Sequence, residues 1–277
     1  MENNPIKAEV RSLDSLCASL SYAMGVEAPS LAAEKNEFLA SYVDQAFGGE
    51  KADRVVMFNP DAIARWIYEK YPHFLKDALA FGELELPLTS VMPSVTPVCF
   101  GTMYTGTQPE VHGIQSYNKP VIRIDTLFDA LLRAGKKPAL VTYGDSSLGR
   151  IYLEREMDYF HFEKGAGGIS VANAKAMELI LRDEHDFILL YNGNYDAVMH
   201  KFGPESPEAL AELRLNAHIY ACIGRLIEEH WKGHNTLLGF AMDHGCHEID
   251  GDCGSHGLDM PEDLDITHLY QAFPKQK

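Results

Sequence analysis

The sequence predicts an α/β fold in which a mostly parallel sheet carries helices on both faces. Helical patterns alternate along the chain with short apolar runs, and the runs RVVMF, DFILLYN and TLLGFAM show no regular alternation of polar and apolar residues. Strands of that composition are buried on both faces, as in parallel sheets covered by crossover helices. In such sheets ligands bind beyond the carboxyl ends of the strands.

The N-terminal part of the chain predicts two helices. The segments VRSLDSLCASLSYAMG and LAAEKNEFLASYVDQAFGG end at Gly25 and at Gly48-Gly49, and glycine is common just past the end of a helix. Neither segment carries a catalytic motif. We therefore predict a helical extension or cap over residues 1–50 and the main domain over residues 51–277.

The main domain begins with a strand, a turn and a helix. RVVMF at 54–58 is apolar and partly β-branched, Asn59-Pro60 predicts a turn, and residues 62–81 predict a helix. Three more helices, each followed by a strand, are predicted at residues 126–135, 171–183 and 207–231. The acidic, glycine-containing stretch 244–265 is predicted as one long loop, and such loops in compact domains are usually functional.

Composition and charge narrow the class of protein. A chain of 277 residues with 46% hydrophobic content can bury a substantial core. The net charge of −16 argues against a partner that is a long nucleic acid, because such binding depends on Lys and Arg neutralising phosphates. If the substrate is a phosphate compound, we expect metal ions to supply the positive charge. No oligomeric state is predicted.

Location is predicted from the termini, the apolar runs and the cysteines. The N-terminus has no charged-then-apolar signal pattern, and the longest apolar runs are too short to cross a bilayer. Five cysteines lack the dense, even spacing of a disulfide framework. We expect reduced thiols, a cytoplasmic location and no membrane partner.

Three predicted strands each end in side chains that can bind a metal. RVVMF is followed by Asp61, DFILLYN by Asp196 and His200, and TLLGFAM by Asp243-His244. Asp and His four residues apart lie on the same helix face and can reach one cation. Taken singly, these residues have simpler explanations as a helix cap, an exposed pair and a turn. Three such sets at one edge of a sheet favour a site.

A fourth segment offers a nucleophile. Thr96-Pro97 predicts a helix start, with Thr96 as the N-cap and Pro97 in the first helical position. Backbone N–H groups and the helix dipole favour an anion at such an end. A hydroxyl there becomes a nucleophile if a metal lowers its pKa.

The C-terminal stretch allows a competing interpretation. FAMDHGCHEIDGDCGSHG contains Cys246, His247, Cys253 and His256, whose thiols and imidazoles are the ligands of small structural zinc sites. Alternatively, His256 belongs to a catalytic site that is completed from elsewhere in the chain.

Four ordered segments resemble the alkaline phosphatase superfamily, and within it the type I phosphodiesterase and nucleotide pyrophosphatase branch, whose nucleophile is threonine. The resemblance extends over residues 54–257. The matching residues are Thr96 with Thr105-Gly106, Pro109 and His112-Gly113, then Asp196 to His200 with Gly203-Pro204, then Asp243-His244-Gly245, then Gly254 to Gly257. One departure is Ala62, because the branch usually has glycine after its first aspartate.

The resemblance implies two divalent metal ions, with zinc favoured by the mixed carboxylate and imidazole ligands and manganese or iron as alternatives. The implied ligands of one ion are Asp61, Thr96, Asp243 and His244, and those of the other are Asp196, His200 and His256. Thr96 would form a phosphothreonine intermediate. Asn118, 22 residues after Thr96, would contact a phosphate oxygen, and His112 would brace its loop. Cys246, His247 and Cys253 would then be bystanders.

The function predicted from this resemblance is that of a hydrolase acting on a small phosphate diester, as a phosphodiesterase or a nucleotide pyrophosphatase. One alternative is a phosphomonoesterase or a phosphonate hydrolase of the same fold, since diester preference depends on cations that the sequence does not assign. An alternative from another class is a metal-binding protein that has lost turnover.

Overall fold

The computed structural model describes residues 10–276, and in this part of the chain ten strands form one large sheet and one small hairpin. The strands are β1 (Arg11–Ser12), β2 (Arg54–Pro60), β3 (Leu84–Thr89), β4 (Pro138–Tyr143), β5 (Asp158–Phe162), β6 (Phe187–Asn192), β7 (Thr236–Phe240), β8 (His247–Ile249), β9 (Cys253–Ser255) and β10 (Asp265–Phe273). The large sheet has the order β1-β3-β10-β7-β2-β6-β4-β5, and β8 pairs with β9.

Helices connect and cover these strands. Those in the described chain are α1 (Ser15–Ala23), α2 (Glu37–Ala46), α3 (Arg65–Lys70), α4 (Lys76–Leu79), α5 (Thr96–Thr105), α6 (Pro109–His112), α7 (Leu127–Arg133), α8 (Ser147–Ile151), α9 (Ala166–Arg182), α10 (Asn194–Phe202), α11 (Pro207–His230) and α12 (Pro261–Leu264). None of them is long and apolar enough to cross a membrane. The cytoplasmic location stays a prediction.

The centre of the sheet is parallel, as predicted. β7, β2, β6, β4 and β5 run in one direction, while β10 is antiparallel to both β3 and β7. Every residue of β6 and β7 is buried, which explains their unbroken apolar sequences. The predicted α/β fold with a mostly parallel sheet is confirmed.

Several elements differ from the sequence prediction. The stretch 62–81 forms the two short helices α3 and α4, which Pro72 separates. The stretch 244–265 contains the β8–β9 hairpin and α12. The N-cap of α5 is Val95 with extended backbone angles, so Thr96 is the first helical residue and not the cap.

The described part of residues 1–50 packs on the main sheet. β1 pairs in parallel with β3, and α1 contacts α5 and α7. Cys17 of α1 is buried, with its Sγ 3.5 Å from the carbonyl oxygen of Tyr104 in α5. The division of the chain at residue 50 stays a prediction.

Candidate active site

Six of the predicted side chains meet at one edge of the sheet. β7, β2 and β6 are neighbours, and their carboxyl ends lead into Asp243-His244, Asp61 and helix α10 respectively. His256 follows the second strand of the β8–β9 hairpin. The six side chains form two groups of three, each close enough to hold one ion. We call them the buried triad (Asp61, Asp243, His244) and the exposed triad (Asp196, His200, His256).

The buried triad lies beneath the protein surface. The His244 Nε2 atom is 3.4 Å from Asp61 Oδ1 and 3.3 Å from Asp243 Oδ2. The exposed fractions of the side chains are 1% for Asp61 and 0% for Asp243 and His244. One oxygen of Asp243 accepts a hydrogen bond from the backbone N–H of Ala62 at 3.3 Å. Two carboxylates and one imidazole therefore face each other with solvent excluded.

The exposed triad is built on a helix and a hairpin. Asp196 and His200 stand four residues apart on α10, and the His200 Nε2 atom is 3.2 Å from Asp196 Oδ1. The His256 Nε2 atom is 3.3 Å from the same oxygen. His200 is 43% exposed, whereas Asp196 is 19% and His256 is 7% exposed. The ring centroids of His244 and His256 lie 4.1 Å apart, so the two triads adjoin.

Thr96 lies beside the buried triad. Its Oγ1 atom is 3.5 Å from Asp61 Oδ2 and 3.5 Å from His244 Nε2, and the residue is 3% exposed. Thr96 follows the N-cap residue of α5, and its hydroxyl faces the carboxylate and the imidazole. The positive end of the α5 dipole favours a negatively charged phosphate oxygen at this position.

The three histidines of the triads present the same ring nitrogen to the site. Their Nδ1 atoms each donate to a backbone carbonyl: His244 to Gly245 at 2.9 Å, His200 to Gly254 at 2.9 Å and His256 to Ser94 at 2.8 Å. The Nε2 atoms then face inward, that of His244 toward Asp61 and Asp243 and those of His200 and His256 toward Asp196. Metal-binding histidines are held in this way, with the second nitrogen bonded to a carbonyl or carboxylate.

The carboxylates also fit metal ligation. Asp61 Oδ1 and Asp243 Oδ2 are buried oxygens without a hydrogen-bond donor in the described part of the chain. A buried charged oxygen without a partner is costly, and a bound cation removes that cost. Mixed carboxylate oxygens and imidazole nitrogens are zinc ligands, so both triads fit a divalent ion.

The two triads differ in their protonation. Burial, with the charge of Asp196, raises the pKa of Asp61 to about 7, and burial beside Asp61 raises the pKa of Asp243 well above its ordinary value. Burial lowers the pKa of His244. In the exposed triad the Asp196 hydrogen bond raises the pKa of His200 to about 9. Burial opposes ionisation of Asp196, but hydrogen bonds from the two imidazoles outweigh it and lower its pKa.

Two supporting residues were not predicted from sequence. The Tyr191 hydroxyl donates a short hydrogen bond to Asp61 Oδ2. Asp263 is fully buried and holds both ends of the loop between the triads, since it accepts from His247 Nδ1 at 2.7 Å and from the Leu258 N–H at 2.8 Å. In the sequence, Tyr191 has the pattern of a buried aromatic residue at the end of a strand, and Asp263 that of a polar loop residue. Neither pattern indicates a place in the site.

Asn118 is exposed, and its side-chain amide donates to Ser116 Oγ at 3.1 Å. Its predicted contact with phosphate stays a prediction. His112 is buried, with Nε2 3.1 Å from Thr102 Oγ1 and Nδ1 accepting from the Ile114 N–H at 3.3 Å, which is the arrangement of a loop brace.

The structural zinc interpretation gains no support from the geometry. Cys246 is buried, with its Sγ 3.9 Å from the Tyr195 hydroxyl, and His247 is bonded to Asp263. Cys253 lies against the carbonyl oxygens of Lys201 and Gly251. Among the described residues, the groupings of metal-ligating side chains close enough for one ion are the two triads.

Ala62 stands where the related branch usually has glycine after its first aspartate. Its φ is 61°, a left-handed conformation that glycine adopts without a steric penalty. The turn after β2 that aims Asp61 at the site is therefore kept, although an alanine stands there.

Comparison with known proteins gives a consistent result. A sequence profile described as type I phosphodiesterase / nucleotide pyrophosphatase matches residues 55–120 and 123–271. No curated protein matches the sequence. The fold is similar to that of human ectonucleotide pyrophosphatase/phosphodiesterase 5, with a TM-score of 0.60, 14% identity, and coverage of 79% of this chain and 87% of that one.

Two further structures share the fold. The murine form of the same protein has a TM-score of 0.54 and 19% identity, with 72% of this chain and 58% of that chain covered. Phosphonoacetate hydrolase from Sinorhizobium meliloti 1021, in complex with phosphonoformate, has a TM-score of 0.53 and 20% identity, with 75% of this chain and 61% of that chain covered.

The architecture is therefore α/β and alkaline-phosphatase-like. The matching family is metal-dependent and hydrolyses phosphoester bonds, and its profile extends over most of the sequence. The chain belongs to the type I phosphodiesterase / nucleotide pyrophosphatase family of the alkaline phosphatase superfamily.

Proposed function

We propose that the protein is a two-metal phosphodiesterase or nucleotide pyrophosphatase that acts on a small diester through a phosphothreonine intermediate on Thr96. One observation carries the proposal: the buried Thr96 hydroxyl lies 3.5 Å from both Asp61 and His244. No other hydroxyl is needed as the nucleophile. Family membership supports the reaction class.

The ligand assignment follows from the partnerless oxygens and the inward Nε2 atoms of the triads. We assign Asp61, Thr96, Asp243 and His244 to one ion and Asp196, His200 and His256 to the other. Two divalent ions, most suitably zinc, would lower the pKa of the Thr96 hydroxyl and offset the charge on phosphate oxygens.

The chain's own groups position the reaction. Thr96 Oγ1 loses its proton to solvent and bonds to phosphorus, and the leaving alcohol or phosphate departs with the electron pair of its bond. The positive end of the α5 dipole lies next to Thr96 and would stabilise the negative charge of a phosphate oxygen. Tyr191 holds Asp61 in place. Water then hydrolyses the phosphothreonine and restores the hydroxyl.

A second candidate function is hydrolysis of a phosphomonoester or a phosphonate by the same groups. The similarity to a phosphonoacetate hydrolase in complex with phosphonoformate favours it, while a murine relative was solved with AMP. Parallel assays on a nitrophenyl nucleotide diester and on nitrophenyl phosphate separate the two, and a strong monoester preference would overturn the ranking. A metal-binding protein without turnover is the third possibility.

The nucleophile is tested with Thr96→Ala and, as its conservative control, Thr96→Ser. We expect Thr96→Ala to lose hydrolysis by a factor of about 10³ or more, while Thr96→Ser keeps a hydroxyl and measurable turnover. Elemental analysis should find two ions per chain in the wild type and in Thr96→Ser. Unchanged turnover of Thr96→Ala would remove Thr96 as the nucleophile. Wild-type protein that binds two ions but hydrolyses neither ester class would favour the non-catalytic alternative.

A further inference from the structure

A cysteine, a histidine and an aspartate form a chain of contacts between helices α11 and α4, outside the two triads. The Cys222 Sγ atom lies 3.6 Å from His218 Nε2, and His218 Nδ1 lies 3.0 Å from Asp77 Oδ2. Cys222 and His218 are four residues apart on α11 and therefore share a helix face. Arg225, on the same helix, donates from its guanidinium to Cys222 Sγ at 3.2 Å. We call these four residues the thiol cluster.

The contacts place a base beside the thiol. An ionised carboxylate only accepts hydrogen bonds, so Nδ1 of His218 carries the hydrogen in its contact with Asp77. In the neutral imidazole Nε2 is then an acceptor, and it faces the S–H group of Cys222. A nucleophile within reach of a base that a third group orients is the arrangement of an activated nucleophile. The thiol cluster has this arrangement.

Arg225 brings a positive charge to the sulfur. Its guanidinium donates to Cys222 Sγ, and cationic groups beside a cysteine favour the thiolate, which is the form that attacks electrophiles. Cys222 is half-buried, whereas His218 and Arg225 are exposed, so a small molecule can approach the sulfur from solvent. The thiol cluster therefore combines a nucleophile, a base, a cation and access for a reagent.

The other four cysteines of the chain lie in different surroundings. Three are fully buried, and burial raises the pKa of their thiols: Cys17, Cys99 and Cys246. Cys253 is partly exposed like Cys222, but its Sγ lies 3.5 Å from the carbonyl oxygen of Gly251 and 3.7 Å from that of Lys201. Carbonyl oxygens accept a hydrogen bond from a thiol but not from a thiolate, so they favour the neutral form. Cys253 is therefore a matched cysteine in the opposite environment.

We propose that Cys222 is a modification site that reacts with small disulfides to form a mixed disulfide. His218 Nε2 takes the S–H proton, and the thiolate bonds to one sulfur of the reagent. The S–S bond of the reagent breaks, and its second sulfur leaves with the electron pair and takes the proton from the imidazolium. Cys222 is oxidised to the mixed disulfide, and the departing half of the reagent is reduced to a thiol. The proposal does not depend on the proposed function, because no member of the thiol cluster belongs to the triads.

The test measures how fast each cysteine forms the mixed disulfide. The full chain is incubated with neutral hydroxyethyl disulfide or with anionic glutathione disulfide, quenched with acid, and analysed by mass spectrometry of its peptides. In the native protein we expect Cys222 to react at least about tenfold faster than Cys253 with both reagents. In urea the two cysteines should react at similar rates, because the contacts are lost. A difference confined to glutathione disulfide would show attraction of its charge without activation of the thiol, and would overturn the proposal.

Variants separate activation of the thiol from its accessibility. His218→Gln removes the base and should slow the reaction of Cys222 by about tenfold. Arg225→Gln removes one exposed charge and should slow it by about two- to fivefold, and the double variant should react at about the rate of Cys253. His230→Gln, at an exposed histidine of the same helix, should leave the rate unchanged. Equal native rates for Cys222 and Cys253, or a double variant in which Cys222 stays fast, would overturn the proposal.

Discussion

The two triads contain similar ligand atoms but differ in solvent exposure and in how their charges are balanced. In the buried triad, two carboxylates and an imidazole are excluded from solvent, and Asp61 Oδ1 and Asp243 Oδ2 have no donor. In the exposed triad, a single carboxylate lies between two imidazoles, and His200 is 43% exposed. The buried triad has no cationic side chain to balance its carboxylates, whereas in the exposed triad the two imidazoles can balance the Asp196 carboxylate. We therefore expect a bound ion to stabilise the buried triad more than the exposed triad.

The largest expected effect of this difference is on the release of metal. When zinc-loaded protein is treated with a chelator, the ion of the exposed triad should leave first. Departure from the buried triad leaves two carboxylates unpaired in a dry site at a cost of several kcal/mol, and each 1.4 kcal/mol is about tenfold. Stopped-flow detection of released zinc should thus show two phases that differ by at least about tenfold. Release of both ions in a single kinetic phase would contradict the expected difference between the two triads.

The next effect tests how the loop between the triads is held. Asp263→Ala removes the acceptor for His247 and for the Leu258 N–H, two residues beyond His256. We expect zinc affinity of the exposed triad to fall by about 10- to 100-fold, the usual cost of losing an outer support, with the buried triad keeping its ion. Competition titrations with a zinc dye measure both sites.

The matched control for the loop is Asp259→Ala, an exposed carboxylate on the same segment that should leave both affinities unchanged. Asp263→Asn keeps one acceptor oxygen, so its zinc affinity at the exposed triad should lie between that of Asp263→Ala and that of the wild type. Equal loss of both ions in Asp263→Ala would indicate general unfolding and remove Asp263 as a positioning residue.

A smaller effect is expected on the stability of the metal-free protein. Replacing a carboxylate should raise the free energy of unfolding in the buried triad and lower it in the exposed triad. Asp243→Asn removes one of two facing carboxylates and supplies an amide donor to Asp61, so we expect the free energy of unfolding to rise by about 1–2 kcal/mol. Asp196→Asn breaks the pairing with His200 and His256 and should lower it by about 1 kcal/mol or less, because His200 is partly exposed. Urea unfolding at neutral pH with a chelator measures both. The same sign for both variants would refute the difference in pairing.

The smallest effect is expected at Ala62. Ala62→Gly relieves a left-handed backbone that costs alanine about 1 kcal/mol, but it also loses a buried methyl group and adds flexibility to the unfolded chain. The free energy of unfolding should change by less than about 1 kcal/mol, with zinc content retained. Ala62→Val should be clearly worse, since a β-branched side chain tolerates this conformation poorly. Equal stability of the two variants would show that the turn relaxes.

The sequence was most informative where burial is complete. β6 and β7 are fully buried and β2 nearly so, and their apolar runs predicted both the strands and the edge at which Asp61, Asp196 and Asp243 meet. β3 was missed because it has the exposed Glu85 and contains Pro87, and β10 was missed because polar residues interrupt its apolar sequence DITHLYQAF. Such strands at the antiparallel side of a sheet lack the signal of a central parallel strand.

Within the site, residue types were more predictable than their supports. Asp-x-x-x-His spacing and the Thr96 segment are local signals, and they marked six side chains that the fold brings together. Tyr191, Asp263 and the carbonyl groups that hold the imidazoles depend on long-range packing, which one sequence does not reveal.

The triads draw on strand ends and a hairpin that are widely separated along the chain, with Asp61 and His256 near opposite ends of the main domain. Neither triad is complete before distant segments have packed together, because local segments hold at most two members of either one. If the triads bind ions as proposed, binding therefore comes late in folding and favours the completed native state over partly ordered forms. Zinc supplied during refolding would then stabilise molecules that have already folded and would not change the earlier folding steps.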